Sequence, residues 1–338
     1  MIKRLLSLAT HKIYSLPILV LMPHSSCNCR CVMCDIWKSN QNKKEISAES
    51  LEKHVTTFSK LGVREVVLSG GEALLHSNLW KLCALLKEHK IRITLLSTGL
   101  LLKKHAEAIC KHIDRVIVSL DGSEQVHDQI RNIPQGFAKM AEGIRELRKR
   151  KADLPITGRC VLQRSNYRDL PNIISSARIL GLDQISFLAA DVSTPAFNRP
   201  EAWNMDKVIQ VALDEQDTKE FRKVVEESIR EFGNLYKRKF IAESPRKMFD
   251  LVRYYEALLG EGEFPIKQCN APWVSAVVEA DGEVRPCFFH KSYGSIYRQE
   301  FMEIVNSPEA VSFRSELDVK RDSVCKKCVC SLKLGLAE

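Results

Sequence analysis

The sequence predicts an α/β fold in which six strand–helix units form an open, partial barrel, followed by a smaller C-terminal region. Short β-rich runs alternate with amphipathic helical stretches between residue 17 and about residue 190. This alternation is typical of right-handed βαβ units and a parallel sheet. Six units are too few for a closed eight-stranded barrel, so we expect the sheet to stay open and curved. Beyond residue 268 the pattern changes to a hairpin signal with five cysteines.

The predicted strands of the barrel are residues 18–22, 65–68, 91–96, 115–120, 156–162 and 184–189. The first helix is marked by a capping residue, Ser47, and by Gly62 after its end. Its apolar residues recur at helical spacing: Leu51, Val55 and Phe58. The other helices are expected at residues 77–88, 101–111, 136–151 and 168–180.

Three regions follow from this pattern. Residues 1–190 hold the barrel, and residues 191–268 form a helical, strongly charged linker layer. In residues 269–338, two short β-rich runs flank Asp281-Gly282, which predicts a hairpin.

Composition excludes several classes of protein. The chain has 338 residues, 45% of them hydrophobic and 28% charged, which is typical of a globular protein rather than a disordered one. The net charge of +9 does not indicate nucleic acid, because the densest basic run, residues 145–151, ends a predicted helix and has no interleaved aromatic residues. We expect no nucleic-acid partner.

The N-terminal apolar run, residues 16–22, does not resemble an export signal or a membrane span. It is interrupted by Pro17, is followed by Pro23-His24 rather than by small residues, and is much shorter than a span of ~20 residues. We therefore expect no membrane partner and a cytoplasmic, reducing location. In that location, clustered cysteines indicate metal or redox chemistry more often than disulfides.

The first cysteine group follows the first predicted strand. Cys27, Cys31 and Cys34 have the spacing C-x3-C-x2-C. Three thiolates in one loop can hold three irons of a cubane cluster, whereas complete cysteine ligation takes four. A zinc site is the alternative, with Cys29 or His24 as its fourth ligand.

This loop resembles the signature of the radical S-adenosylmethionine (SAM) superfamily, and the resemblance extends along the whole chain. It implies a partial (β/α)6 TIM-like barrel and a [4Fe–4S] cluster whose open iron is chelated by SAM. Reductive cleavage of SAM would then yield a 5′-deoxyadenosyl radical that abstracts a substrate hydrogen. The resemblance also implies a flavodoxin- or ferredoxin-type electron donor.

Other strand ends match the same family. Gly70, Gly71 and Glu72 match its GGE motif, which would receive the ammonium group of SAM. The proline that usually follows is Ala73 here. Trp37 resembles the aromatic residue that seats the adenine, although a role in the core is the alternative.

After the third and fourth strands, Ser97, Ser119 and Arg131 occupy positions that contact SAM in the family. The resemblance pairs Arg131 with the SAM carboxylate, an interaction suited to a guanidinium. For Ser97 the alternative is a plain turn without a SAM contact. His127 and Asp128, which lie close to Arg131 in the sequence, either support the SAM contacts indirectly or cap a helix.

The C-terminal cysteines resemble the SPASM/twitch subgroup, which carries auxiliary clusters. Cys269 and Cys287 fit the spacing C-x12-G-x4-C, and a C-x2-C pair follows. The resemblance assigns one auxiliary [4Fe–4S] cluster to four cysteines, namely Cys269, Cys287, Cys325 and Cys328. Cys330 could replace Cys328, and a zinc ribbon is the alternative for the set. Cys83, Cys110 and Cys160 lie in apolar patterns and are expected in the core.

The resemblance implies a radical SAM oxidoreductase that oxidises or rearranges its substrate. We expect a small metabolite rather than a peptide, because the early first strand leaves no room for an N-terminal leader-binding domain. Sulfatase-maturing relatives use an Asp where this chain has Phe288, so His290 and Tyr293 are candidate catalytic bases. The alternatives are a peptide-modifying SPASM enzyme and a non-catalytic iron–sulfur or zinc-binding protein.

Overall fold

One nine-stranded sheet organises the computed structural model, which describes residues 2–335. The strands are β1 (Ile18–Leu21), β2 (Glu65–Leu68), β3 (Arg92–Ser97), β4 (Arg115–Ser119), β5 (Ile156–Leu162), β6 (Gln184–Ala189), β7 (Ser275–Val278), β8 (Glu283–Arg285) and β9 (Gly294–Ser295). Their spatial order is β6-β5-β4-β3-β2-β1-β7-β8-β9. The strands at the two edges of the sheet, β6 and β9, do not pair with each other. The predicted open, partial barrel is therefore confirmed.

The helices that cover the sheet are α1 (Ile2–Thr10), α2 (Ala48–Lys60), α3 (Leu79–Glu88), α4 (Ala106–His112), α5 (Glu124–Arg131), α6 (Gly136–Arg150), α7 (Leu170–Ile179), α8 (Met205–Val211), α9 (Glu215–Glu231), α10 (Gly233–Lys237), α11 (Pro245–Leu258), α12 (Ala271–Val274), α13 (Phe301–Val305), α14 (Pro308–Glu316) and α15 (Ser323–Lys327). Three short 3-10 helices lie at Ile36–Gln41, Ala73–Leu75 and Tyr167–Asp169. Among the described residues, no helix is both long enough and apolar enough to span a bilayer.

Five of the six barrel strands bury alternate residues, whereas β3 buries Ile93, Thr94 and Leu95 in succession. In β1, for example, Leu19 and Leu21 are fully buried, whereas Ile18 and Val20 are only half-buried. The buried set packs into one apolar core with the helices, including Leu51 and Phe58 of α2. The parallel strands are joined by helices. In folds of this kind, the loops that follow the carboxyl ends of the strands carry the functional residues.

The C-terminal region continues the same sheet. β7 pairs with β1 in parallel, with Ile18 opposite Ser275, and β7, β8 and β9 are antiparallel to one another. The predicted hairpin is present, and Gly282 at its turn has a φ of +82°, a conformation that favours glycine. The hairpin therefore extends the sheet on the side of β1 opposite to β2.

Some elements differ from the prediction. Helices α1 and α5 were not predicted, and the helical linker region at residues 191–268 begins with two helices, α8 and α9, separated by a break. The break occurs because Asp214 caps α9 by accepting a hydrogen bond from the backbone N–H of Asp217 (2.8 Å). The linker layer is tied to the barrel by Tyr255 of α11, whose hydroxyl donates to the carbonyl of Leu162 (2.5 Å).

Candidate functional site

The first cysteine loop joins β1 to α2 at the carboxyl edge of the sheet and is held there by backbone hydrogen bonds. The N–H groups of Arg30 and Val32 donate to the carbonyls of Arg131 and Ile130 in α5, at 3.1 and 3.2 Å. Asn40 supports the other side of the loop: its side chain accepts from the N–H of Cys27 and donates to the Cys27 carbonyl, both at 2.9 Å. The loop is therefore fixed by a helix that follows the fourth strand.

The thiols of this loop lie in a buried environment. Burial raises the pKa of Cys27 and of Cys34 to about 12 in each case. At Cys31 the hydrogen bond from the Cys29 thiol, together with the Arg131 guanidinium, outweighs burial and lowers the pKa. Cys29, the other alternative zinc ligand, is buried and lies beside Cys31. A metal that bound the three thiolates would remove the cost of burying them as charged groups.

Arg131 lies beside these thiols and forms a buried ion pair with Asp121. Its Nη1 donates to the sulfur of Cys31 at 3.5 Å. Burial acts to lower the pKa of Arg131, but Asp121 and the neighbouring cysteines outweigh burial and raise it. The guanidinium thus stays charged next to the cysteine loop. Its role toward the SAM carboxylate remains a prediction.

Glu72 is fully buried and accepts hydrogen bonds from three residues. The backbone N–H and hydroxyl of Thr98 both donate at 2.7 Å, and the Ser97 hydroxyl lies 3.1 Å from each carboxylate oxygen. The N–H of Leu74 donates at 3.2 Å. Burial raises the pKa of the carboxyl group, and these hydrogen bonds oppose the rise. The Glu72 and Ser97 side chains therefore join the ends of β2 and β3.

The two glycines before Glu72 allow the chain to pass close to the start of the cysteine loop. A Cβ at Gly71 would lie 2.1 Å from the carbonyl oxygen of Ser26, and one at Gly70 would lie 3.0 Å from Met22. Gly70 also has a φ of +103°. Only glycine fits either position without a backbone shift.

The remaining predicted SAM contacts lie at the same edge. Ser119 is the last residue of β4 and is half-buried, opposite Arg159 of β5. Trp37 is half-buried in the first 3-10 helix, with the Arg30 guanidinium 5.8 Å from its ring. The roles of both toward SAM remain predictions.

The surroundings of the cysteine loop fit a polar ligand beside a cluster. Within residues 2–335, four buried polar atoms near the loop have no hydrogen-bond partner: Ser26 Oγ, Asn28 Nδ2, Trp37 Nε1 and Arg131 Nε. Buried polar atoms are normally paired, so an unpaired group of this kind indicates a polar ligand. The alternative zinc ligand His24 is already engaged, since its Nε2 lies 3.1 Å from Glu45 and its Nδ1 accepts from the Ser26 N–H at 3.0 Å.

The five C-terminal cysteines converge on one place. Asn270, next to Cys269, donates its N–H to the Leu332 carbonyl at 2.7 Å, and the Cys328 thiol donates to the Cys330 carbonyl at 2.9 Å. His290, three residues after Cys287, lies 3.4 Å from the sulfur of Cys325. Cys269 thus lies in one region with the other four, Cys287, Cys325, Cys328 and Cys330. Burial is the main cause that raises the pKa of these four thiols, to about 11 for Cys287. Four thiolates suffice for one fully ligated cluster, so the residues present fit an auxiliary [4Fe–4S] group.

The two candidate bases occupy different surroundings. His290 Nε2 lies 3.4 Å from the sulfur of Cys325 and 3.8 Å from Asp322, and burial lowers its pKa. Tyr293 packs against Phe313, with ring centroids 5.8 Å apart, and burial raises its pKa. Of the two, only His290 lines the cavity described next, and their catalytic roles remain predictions.

A cavity of about 670 Å³ lies between the first cysteine loop and the C-terminal region. Its wall includes Gly70 and Gly71 after β2, Ile36 and Lys38 of the 3-10 helix, and residues 195–200 after β6. Residues 279–281, Arg285 and residues 288–291 close the C-terminal side. The volume is within the range of small-molecule and cofactor sites, ~300–1,000 Å³.

Comparison with known families agrees with this arrangement. A model described as the radical SAM superfamily matches residues 21–177, and the SPASM model, described as an iron-sulfur cluster-binding domain, matches residues 269–329. The chain belongs to the radical SAM superfamily. Its cofactors are the SAM-binding [4Fe–4S] cluster, SAM itself and an auxiliary [4Fe–4S] cluster. The prediction of a radical SAM protein of the SPASM/twitch subgroup is confirmed.

Curated relatives match this radical SAM chain over most of its length. The antilisterial bacteriocin subtilosin biosynthesis protein AlbA of Bacillus subtilis is 24% identical over 296 residues, which cover 83% of this chain and 58% of AlbA. The sporulation killing factor maturation protein SkfB of the same species is 22% identical over 316 residues, covering 93% of this chain and 68% of SkfB. The chain thus spans only part of each relative.

A solved structure shares the fold. Streptococcus suis SuiB bound to its precursor peptide SuiA has a TM-score of 0.66 and 15% identity, and the alignment covers 98% of this chain and 75% of that one.

Several residues of the site were not singled out from the sequence. Asp121, Asn40 and Thr98 were not assigned a role from the sequence. Asp121 could have been found, since a buried arginine at residue 131 requires an acidic partner. Asn40 and Thr98 gave no such signal, because their partners are distant in the chain. Asn40 pairs with backbone groups of Cys27, 13 residues away, and Thr98 pairs with the Glu72 carboxylate, 26 residues away.

Proposed function

We propose that this chain is a radical SAM enzyme that modifies a peptide with the help of an auxiliary cluster. The observation that carries the proposal is the similarity to AlbA and SkfB, which covers 83% and 93% of the chain. Their names describe the biosynthesis of a bacteriocin and the maturation of a sporulation killing factor. SuiB, which shares the fold, was solved with a precursor peptide. This similarity supports the peptide-modifying alternative better than the small metabolite that we expected from the sequence.

The cavity supports the proposal because of where it lies. One wall contains the GGE glycines and the other contains residues 288–291, directly after Cys287. A side chain of a bound peptide could enter this space while the rest of the peptide remains outside. The wall is mixed in character, with Phe197, Phe288 and Phe289 beside polar groups.

We assign the SAM-binding cluster to Cys27, Cys31 and Cys34. When bound, the reduced cluster and SAM supply a carbon-centred radical that removes a hydrogen atom from the substrate. The chain's own contribution is to hold the three thiols, to keep the Arg131 charge beside Cys31, and to shape the adjoining backbone through Gly70 and Gly71. Trp37, Ser97, Ser119 and Glu72 complete the proposed SAM site.

We assign the auxiliary cluster to Cys269, Cys287, Cys325 and Cys328. His290 lies against Cys325 and also borders the cavity, which supports a role between this cluster and the substrate. A flavodoxin- or ferredoxin-type protein is the proposed source of electrons.

The test is anaerobic reconstitution, followed by addition of dithionite, SAM and short peptides encoded beside the gene. We expect about eight irons per chain, 5′-deoxyadenosine, and a mass change in one peptide. Absence of 5′-deoxyadenosine would overturn the radical enzyme. Turnover of a small metabolite with no change in any peptide would overturn the peptide substrate alone.

Matched cysteine variants separate the two clusters. Cys31→Ala should abolish SAM cleavage, whereas Cys269→Ala should retain some cleavage that is uncoupled from the peptide. Cys83→Ala is the control, since Cys83 is buried in α3 within the apolar core. Identical behaviour of the first two variants would contradict this division of roles.

A further inference from the structure

The segment after β6, residues 191–203, contains a fully buried ion pair. We call this segment the bridging loop. The side chains of Arg199 and Asp191 both have 0% of their surface exposed, and Nη1 of Arg199 donates to Asp191 Oδ2 at 2.8 Å. The guanidinium also donates to the carbonyls of Asp191 at 2.8 Å and Thr194 at 3.2 Å. A buried charge with this many partners holds its loop in one conformation.

The same guanidinium reaches the first cysteine loop. Nη2 of Arg199 donates to the carbonyl oxygen of Met33 at 3.2 Å, and Met33 lies between Cys31 and Cys34. Two further contacts hold the adjacent Asp35: Trp203 Nε1 donates to its carboxylate at 2.9 Å, and Asn198 Nδ2 donates to its carbonyl at 3.3 Å. The bridging loop therefore contacts the cysteine loop at two places, Met33 and Asp35.

The guanidinium is itself held in place by an aromatic ring. Its central carbon lies 3.8 Å from the centroid of Trp203, a close cation–π contact. Trp203 thus fixes Arg199 with its ring and Asp35 with its N–H. A lysine could keep the charge near Asp191, but it could not make the fork of hydrogen bonds to Asp191, Thr194 and Met33.

The backbone of the bridging loop is strained where it faces the cavity. Phe197 and Asn198 have φ angles of +62° and +64°, in the left-handed region that side chains other than glycine seldom adopt. Phe197 packs against Phe289, two residues after Cys287, with ring centroids 6.1 Å apart. Backbone strain of this kind persists only where many surrounding contacts hold the residue in that conformation. Such strained residues are concentrated at functional sites.

We propose that Arg199 is a positioning residue for the SAM-binding cluster: it fixes the Met33 carbonyl and so sets the geometry of the loop that carries Cys31, Cys34 and, after Asp35, Trp37. The effect is specific to the first cysteine group. Arg199 is not assigned a contact with substrate, SAM or the reacting atoms. The inference is independent of whether the substrate is a peptide.

The experiment compares Arg199→Met, Arg199→Lys and the control Arg222→Met in the full-length, reconstituted chain. Arg222 pairs with Glu256 of α11 at 2.6 Å and makes no hydrogen bond to either cysteine group. SAM affinity is measured from the change that SAM produces in the electron paramagnetic resonance spectrum of the reduced protein, which reports on the SAM-binding cluster alone. Iron content and the auxiliary-cluster signal are measured on the same samples.

We expect Arg199→Met to weaken SAM binding by about tenfold or more, or to lower iron from about eight toward about four per chain, while the auxiliary signal stays at the wild-type level. Arg199→Lys should recover part of the loss, and Arg222→Met should match the wild type. Parallel loss of both clusters, loss of the auxiliary signal alone, or wild-type SAM affinity would each overturn the proposal.

A second variant serves if Arg199→Met does not fold. Trp203→Leu removes both the aromatic ring that holds Arg199 in place and the hydrogen bond to Asp35. It should weaken SAM binding by a few fold without changing the auxiliary signal. An unchanged SAM affinity in this variant, or equal loss of both signals, would overturn the proposal in the same way.

Discussion

Replacement of Gly71 by alanine tests whether the cysteine loop depends on the close approach of β2's end. The added Cβ would lie 2.1 Å from the Ser26 carbonyl oxygen, 2.6 Å from its carbon and 3.1 Å from the N–H nitrogen of Cys27. Cβ atoms essentially never approach closer than 3.0 Å, so the oxygen must move by about 0.9 Å. All three neighbours are backbone atoms, so no side-chain rotation can relieve the clash.

The cost follows from two contributions. Overpacking of this kind costs ~1–3 kcal/mol, and the shift also strains the hydrogen bond from the Glu72 N–H to the Ser26 carbonyl (2.9 Å), worth ~1 kcal/mol. We therefore expect Gly71→Ala to lower the free energy of unfolding by ~2–4 kcal/mol. For a chain of 338 residues that is a fall of ~3–6 °C in the unfolding midpoint.

The assay is thermal unfolding of the metal-free chain, followed by iron determination after reconstitution. Gly233→Ala is the matched control, because a Cβ there meets no atom within 4 Å and Gly233 lies at the start of α10. It should unfold at or slightly above the wild-type temperature. Gly71→Ala should also bind less iron, since the shifted backbone adjoins Cys27. Equal midpoints for the two variants would refute the reasoning.

Three further predictions concern the same region. Arg131→Met should destabilise the chain by ~3–5 kcal/mol in denaturant unfolding, because it leaves the buried carboxylate of Asp121 without its cation; a wild-type midpoint would contradict this. Burial lowers the pKa of His127 to about 4 from 6.5, so the unfolded chain binds the proton first as pH falls, and stability should be lost between pH 6.5 and 4. The loss is at most ~3 kcal/mol, and His127→Gln should flatten the pH profile; an unchanged profile would argue against it. Cys328→Ala should lower the iron content more than Cys330→Ala, and the opposite order would exchange their assignments.

The strands of the barrel could be predicted because their signals are local. Each of the six predicted strands is present, with ends that differ by at most one residue, since all but β3 bury alternate side chains in the core. The predicted cap at Ser47 is also present and accepts from the N–H of Ser50 at 3.1 Å. Helix α5 was not predicted, because its eight residues carry only one buried aliphatic side chain, Ile130.

The candidate site was predicted unevenly for the same reason. The spacing of the cysteines is a local pattern and led directly to two groups of thiols. The sequence also suggested Glu72 as a SAM contact, but it gave no sign that Ser97 and Thr98 would surround its carboxylate. Those partners lie 25 and 26 residues further along the chain and arrive only because β2 and β3 are adjacent in the sheet.

The sequence by itself determined the class of fold, the radical SAM family and the cysteines available for two clusters, because strand alternation and ligand spacing are properties of short segments. Only the tertiary structure decided how these segments meet. It placed β7 beside β1, so that one cavity is bounded by Gly70 and Gly71 on one side and by residues 288–291 on the other. It also brought Arg199 to Met33, across 166 residues of chain. Such contacts depend on packing between distant elements, and no periodicity or motif within either element encodes them.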